Sequence, residues 1–316
     1  MNTTVAAPSS ASRAAVVRST IAAALTIGIF ALILRRVPFS ALTAALRDAD
    51  YRTFLALMIP NTLFYFTWDT LVLAVVIRWF HGPVPYRDLL PVRASSYVVG
   101  FFNTNLGRGA LAAYLCRRLR APFLELGSTV IFLVLTEYTQ LVLWSMLGLI
   151  GFRADVSRSL VGVAAAVALF WIVVRVAFAP RSWSIVRTFR LATFWQYVQI
   201  VALRAPMFFV SLCLHYYAAR AFGIRIPFVQ MLTFLPVIFM LAALPVTVAH
   251  LGTTQAAWIF FFGQWASAPR LLAFSLAAHL VFSATRALVG VLWMPAAFAD
   301  LVPLKPGTTF QAARRP

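Results

Sequence analysis

Residues 244–255 read LPVTVAHLGTTQ. A proline, a histidine, a glycine and three threonines interrupt a very apolar region here. Phe228–Ala243 before the break is long enough for a helix, with Pro236 placed to kink it, and the apolar run resumes over Ala256–Phe262. Proline lacks an amide donor and clashes in a helix interior, while glycine loosens the backbone. In lipid, broken backbone survives only where protein or a water-filled cavity satisfies its polar groups. The stretch is therefore either a loop that leaves the membrane or the meeting of two half-helices inside a membrane protein. A similar break, Asn103–Gly109, stands in the first half of the chain.

The membrane setting follows from composition. The 316 residues are 62% hydrophobic and 11% charged, against roughly 25% charged in soluble domains, and the mean hydropathy is +0.87. Apolar runs of about 20 residues recur, as a polytopic helical membrane protein requires. The net charge of +19 comes almost wholly from arginines, Lys305 being the one lysine. They are scattered over helix ends and loops, which suits anionic headgroups and snorkelling side chains and argues against a nucleic-acid partner. Cys116 and Cys213 lie in or near apolar segments and suggest no disulfide or metal framework. The four histidines are dispersed, and no cofactor is expected.

Taken in order, residues 1–13 read as a disordered cytoplasmic N-terminus, and Ala14–Leu34 as a retained first span. Pro38–Asp50 carries Phe39, Leu42, Ala45 and Leu46 at helical spacing, which predicts a short interfacial helix. Phe54–Phe80 is the second span, with Pro60, Asn61 and Asp69 inside it. His81–Ala94, with prolines at 83, 85 and 91 and with Arg87, Asp88 and Arg93, reads as a surface connection. Ser95–Phe102 and Ala110–Arg118 are then half-helices around the first break. Phe123–Ile150, Leu160–Phe178, Phe194–Phe222 and Leu271–Trp293 are the remaining spans, and Pro227–Gln264 is the second broken unit. The tail over 299–316 reads as flexible.

The fold expected is all-α: six full spans plus two broken or re-entrant helix pairs in one transmembrane domain over 14–298. Units at about 52–151 and 193–298 start three spans apart and so insert with opposite orientation, as inverted repeats of secondary transporters do. The distribution of arginines places both termini in the cytoplasm, and the arginine-heavy, lysine-poor and alanine-rich usage suggests a bacterium, hence its inner membrane.

The two breaks resemble the membrane domain of lysylphosphatidylglycerol synthases, shared with stand-alone flippase-like proteins. That family's first break reads roughly Asn, two residues, Pro, then Gly-Arg-x-Gly-Glu and a later Arg. Residues 103–114 read NTNLGRGALAAY, so Asn103, Gly107 and Arg108 fit, while Leu106, Ala110, Leu111 and Tyr114 depart. The second family break, roughly Pro-x-Ser-x-Gly-Gly-x-Gly and a later Glu, is met by Pro245, Thr247 and Gly252, with Ala249 and His250 at the paired glycines and Gln255 for the glutamate. Glu137–Tyr138 is similar to a Glu-Arg pair that has lost its arginine. The likeness spans about residues 15–298 and concerns the membrane domain alone, so synthase activity is not implied. It implies a transporter or flippase of a lipid or lipid-linked molecule with an anionic headgroup. A non-transporting scaffold of an envelope-lipid pathway and a membrane-embedded headgroup-modifying enzyme are the alternatives.

Candidate residues follow from the breaks and the intramembrane charges. Asn103, Asn105, Thr247, His250, Thr254 and Gln255 either satisfy interrupted backbone or meet a headgroup. Gly107, Gly109, Pro245 and Gly252 are read as helix-break residues. Arg108 either binds a lipid phosphate through a bidentate contact, snorkels outward or pairs with a carboxylate. Asp69, Glu137, Arg204 and Arg286 lie within spans, where charges must be paired, neutralised or functional. Arg204 and Arg286 are the expected partners of Glu137. His215 and His279 are expected to be packing residues.

Overall fold

A computed structural model describes residues 24–35, 37–102, 104–152, 169, 172–173, 176, 183–242 and 251–299. Among these, the regular structure is helical throughout. Helix α1 (Ala24–Arg35) meets α2 (Phe39–Arg47) at 89°. There follow α3 (Tyr51–Phe80), α4 (Tyr86–Phe102), α5 (Thr104–Leu119) and α6 (Phe123–Phe152). A 3₁₀ turn (Ser184–Val186) leads to α7 (Arg187–Leu191), α8 (Phe194–Arg220), α9 (Phe228–Ala242), α10 (Thr253–Phe262) and α11 (Ala268–Ala299). Four helices, α3, α6, α8 and α11, are long and apolar enough to cross a membrane, and the bent α1–α2 pair is a fifth candidate. This is the make-up of a multi-pass membrane protein. Of the two other expected spans, the first lies partly and the fourth almost wholly outside the described residues, although 169, 172–173 and 176 are helical.

The 30 residues of α3 reach about 45 Å at about 1.5 Å per residue, which exceeds a hydrocarbon core of about 30 Å. The Asp50 carboxylate caps its start by accepting from the Thr53 N–H at 3.1 Å. Thr193 and Gln196 form a reciprocal capping box at the start of α8. The stripe expected on α2 is present, but Leu42 and Ala45 are buried and the helix packs on α11.

The largest departure from the sequence expectation is α4. Residues 86–94 are helical and run without interruption into 95–102. Pro83 and Pro85 precede the helix, and Pro91 lies within it. The lost donor at Pro91 is outweighed locally because Leu89, Val92, Ala94 and Tyr97 are all buried. The interruption after α4 is also narrower than expected, because α5 begins at Thr104. Gly107 and Gly109 therefore lie inside α5 and not at a break. At Gly107 a Cβ would stand 2.7 Å from the Gly100 Cα and 2.8 Å from the Ser96 carbonyl oxygen, so this glycine sets the close approach of α4 and α5. At Gly109 a Cβ would meet nothing within 4 Å.

The helices pack in a reciprocal pattern. The first helix of each broken unit lies on the last helix of the other: α4 on α11, and α9 on α6. Likewise α3 packs on α11 while α8 packs on α6, and α3 and α8 pack on each other. The short helices preceding the units follow suit, α2 on α11 and α7 on α6. Two apolar clusters result. One joins Phe54 and Met58 of α3 to Phe208, Leu212, Leu235, Trp258 and Phe274. The other joins Val72, Val76 and Phe80 of α3 to Leu89, Leu115, Phe132 and Ile200. Helices surrounded by lipid gain little from hydrophobic burial, so close packing and polar contacts hold them. The residues lying between the two clusters along α3, α6 and α8 are the polar ones described below.

One end of the second cluster is closed by a polar network. The His81 imidazole Nε2 lies 2.7 Å from Thr129 Oγ1, which is 2.8 Å from Thr188 Oγ1. Arg187 pairs with Glu125 at 3.3 Å and donates to the Phe80 carbonyl at 3.2 Å. Burial and the Arg187 charge hold the His81 pKa below the ordinary histidine value of 6.5, against the smaller opposing pull of Glu125. The folded protein thus binds fewer protons here than the unfolded chain, so stability falls as pH drops through the unfolded pKa and levels off below the folded one. Unfolding followed in detergent between about pH 7.5 and 5 is expected to show this loss in the wild type and a flatter profile in His81→Gln. Equal slopes would remove His81 as the source.

Candidate functional site

A charged layer lies near the middle of the long helices. On α3, Asn61, Tyr65 and Asp69 repeat every four residues and so share one face. Asp69, only 5% exposed, accepts from Arg93 Nε of α4 at 2.6 Å through Oδ2, while its Oδ1 faces Arg204 Nη1 of α8 at 3.7 Å. Arg204 is 2% exposed. Its own carbonyl accepts from Gln140 Nε2 at 3.1 Å, and that of Leu203 accepts from Trp68 Nε1 at 2.7 Å. These bonds tie α6 and α3 to α8 just before Pro206, which lacks a donor.

The other two intramembrane charges are arranged differently. The Tyr65 hydroxyl donates to Glu137 Oε1 of α6 at 3.2 Å. The Arg286 guanidinium of α11 stacks 3.6 Å over the Tyr97 ring and 5.0 Å from Phe282, a cation–π arrangement. Arg93 approaches the same Tyr97 ring at 5.1 Å. The expected Glu137–Arg204 and Glu137–Arg286 pairs are not formed among the described residues, and Arg204 belongs to Asp69 instead. The reason is register: Asp69 of α3 is the carboxylate that α8 meets, while Glu137 lies beside Tyr65.

Arg93, Tyr65, Tyr97 and Gln140 are the residues of this layer that the sequence reading missed. The four-residue spacing of Asn61, Tyr65 and Asp69 was an available signal, as was that of Arg93 and Tyr97.

Arg108 occupies a second location. It lines a groove of about 320 Å³ between α5 and α6 whose wall is otherwise apolar, including Ala112, Val130, Ile131 and Val134. A single cation at an apolar groove suits an amphiphile with an anionic head and an acyl chain.

At the second break the described residues start with Leu251. Gly252 is buried with φ +91°, and an added Cβ would lie 3.2 Å from Ile29 Cγ2 of α1. The buried Gln255 accepts from the Gly252 N–H at 2.7 Å through Oε1, which caps α10, and its Nε2 has no hydrogen-bond partner among the described residues. Thr254 lies in the first turn of α10. Asn103, Pro245, Thr247 and His250 lie outside the described residues, and Asn105 is described by its backbone alone. His215 is a packing residue as expected: it is buried, its Nδ1 lies 2.7 Å from the Ser211 carbonyl oxygen, and its ring meets Phe239 and Phe274.

Fold and site together define a polytopic α-helical membrane protein with a buried charged layer across its long helices. Compared with known proteins, the chain matches no family model and no characterised protein significantly. The resemblance at the two breaks therefore stands on the motif residues alone.

Proposed function

We propose that this protein moves a lipid or lipid-linked molecule with an anionic headgroup across a bacterial inner membrane. The observation that carries the reading is the charged layer, in which α3, α4, α6, α8 and α11 each place ionisable or polar side chains at one depth. Ionisable residues within spans are costly and mark ion and substrate pathways. The reciprocal packing supports an inverted repeat of 52–151 and 193–298, with α4–α5 and α9–α10 as the broken pairs. In such folds the substrate sits near the bilayer midplane at the repeat interface. In this reading the lipid enters along the α5–α6 groove, where Arg108 meets the phosphate and the apolar wall takes the chain. The second broken pair contributes the Nε2 of Gln255 and the polar residues Thr247, His250 and Thr254. Asn103 and Asn105 act at the first break.

The test is transport after reconstitution. Vesicles carrying fluorescent phosphatidylglycerol are treated with a membrane-impermeant quencher, and the rate of signal loss reports crossing. Arg108→Ala is expected to slow crossing by about tenfold, the equivalent of about 1.4 kcal/mol, with an unchanged melting curve. Wild-type rates in the variant would remove Arg108 from the path, and no crossing above empty vesicles would remove the function. Gln255→Ala is unsuited to this role, because loss of its bond to Gly252 is expected to cost about 1 kcal/mol of stability, readable as a lowered melting midpoint.

A further inference from the structure

The charged layer is not balanced. Asp69 is shared by Arg93 and Arg204. Glu137 takes its hydrogen bond from Tyr65. Arg286 forms no ion pair among the described residues, and its Nε is buried without a hydrogen-bond partner. Three guanidinium groups thus face two carboxylates, leaving one positive charge in excess even with Glu137 ionised.

Two buried groups on the same side also lack hydrogen bonds of good geometry among the described residues. The Tyr97 hydroxyl, in a residue only 3% exposed, has as its neighbour Arg93, whose Nε already serves Asp69, and Arg204, 2% exposed, has Nε without a partner. Arg286 stacks on the Tyr97 ring that Arg93 also approaches, and Arg93 shares Asp69 with Arg204, so these groups share one locality. Native proteins satisfy nearly all buried polar groups, and each exception calls for an explanation. Arg286 itself is partly buried, and a charge held partly out of water without a counter-ion is costly too. Among the described residues the unsatisfied groups on Arg286, Arg204 and Tyr97 can all donate, while Asn61 Oδ1, further along the α3 face, is an unsatisfied acceptor. A ligand that repairs these three donors must bring negative charge and several acceptor oxygens. A phosphate or phosphodiester does so, and the planar fork of arginine matches two of its oxygens.

We propose that Arg286, with the Tyr97 hydroxyl and the free donor of Arg204, forms an internal receptor for a phosphate or phosphodiester oxyanion, separate from the Arg108 groove. Stacking on Tyr97 and Phe282 fixes the guanidinium plane, leaving its N–H groups for the anion. As the resting place of a transported headgroup the receptor rests on the transport reading. Its test is binding, so that failure to bind and failure to transport are separate results.

The experiment measures thermal unfolding of the purified full-length protein in detergent, titrated separately with dioleoylphosphatidylglycerol, inorganic phosphate and uncharged dioleoylglycerol. Wild type, Arg286→Gln and Tyr97→Phe are compared. Tyr97→Phe removes only a hydroxyl that makes no hydrogen bond of good geometry among the described residues, so it gives an answer even where Arg286→Gln fails to fold. Phosphatidylglycerol is expected to raise the wild-type midpoint, with apparent affinity weakened about tenfold in Arg286→Gln, in line with loss of a charge-assisted bidentate contact, and about threefold in Tyr97→Phe. The same dependence with inorganic phosphate supports the receptor and identifies the free anion as sufficient. Equal stabilisation by dioleoylglycerol, or identical titrations in wild type and both variants, overturns it. Binding that depends on Arg286 in a protein that moves no lipid keeps the receptor and removes the transport reading.

Discussion

Asp69→Asn is expected to destabilise the protein by about 3–5 kcal/mol, the usual cost of removing one partner from a buried ion pair. The asparagine is nearly isosteric, so the loss is electrostatic. Asp69 is the carboxylate on which Arg93 and the 2% exposed Arg204 both depend. Neutralising it leaves both guanidinium groups beside the already unpaired Arg286, in surroundings that screen poorly. The measurement is unfolding free energy from denaturing-detergent titration of the reconstituted protein. A change below about 1 kcal/mol would mean that water or lipid already solvates the cluster. A second substitution separates pairing from geometry. Adding Arg204→Met to Asp69→Asn removes one of the stranded cations, so the double variant is expected to recover about 1 kcal/mol or more relative to additivity. Full additivity would show that Asp69 acts on Arg93 alone.

The same residues show what the sequence could and could not disclose. The four long helices are legible because each holds a long, predominantly apolar run with few charges, a length that no soluble core needs. Asp69, Glu137, Arg204 and Arg286 are legible as intramembrane charges for the same reason. Their pairing is not, because it depends on the height at which each helix meets its neighbours, and local pattern carries no register between helices. Arg93 shows the limit most clearly. Prolines at 83, 85 and 91 with three nearby charges are the local signature of a surface loop. The segment is helical because Asp69 waits across the turn and α11 covers its apolar face, both of them tertiary facts. Gly107 marks a related ambiguity. A glycine beside a break and a glycine at a close helix crossing look alike in sequence, and the 2.7 Å approach to Gly100 makes this one a crossing.

Gly148→Val and Gly290→Val are expected to be damaging together, by about 3 kcal/mol each, at the upper end of overpacking costs. A Cβ at Gly148 of α6 would lie 2.5 Å from the Thr233 amide nitrogen of α9, and one at Gly290 of α11 would lie 2.7 Å from the Ala94 carbonyl oxygen of α4. Backbone cannot swing aside as a side-chain tip can, so each substitution must push two helices apart. Small residues at such crossings are what lets membrane helices approach closely enough for packing to hold them. At α6–α9, separation also threatens the bond from Ser145 Oγ to the Thr233 carbonyl at 2.8 Å. At α11–α4 it carries Arg286 away from Tyr97 and so opens the charged layer. In the proposed repeat the two crossings are counterparts, α6 packing on α9 as α11 packs on α4. Matched losses in unfolding free energy are therefore expected, with Gly290→Val alone also weakening phosphate-dependent stabilisation. Loss at one crossing and tolerance at the other would show that the two units do not bear equivalent loads, and would weigh against an inverted repeat as the organising symmetry.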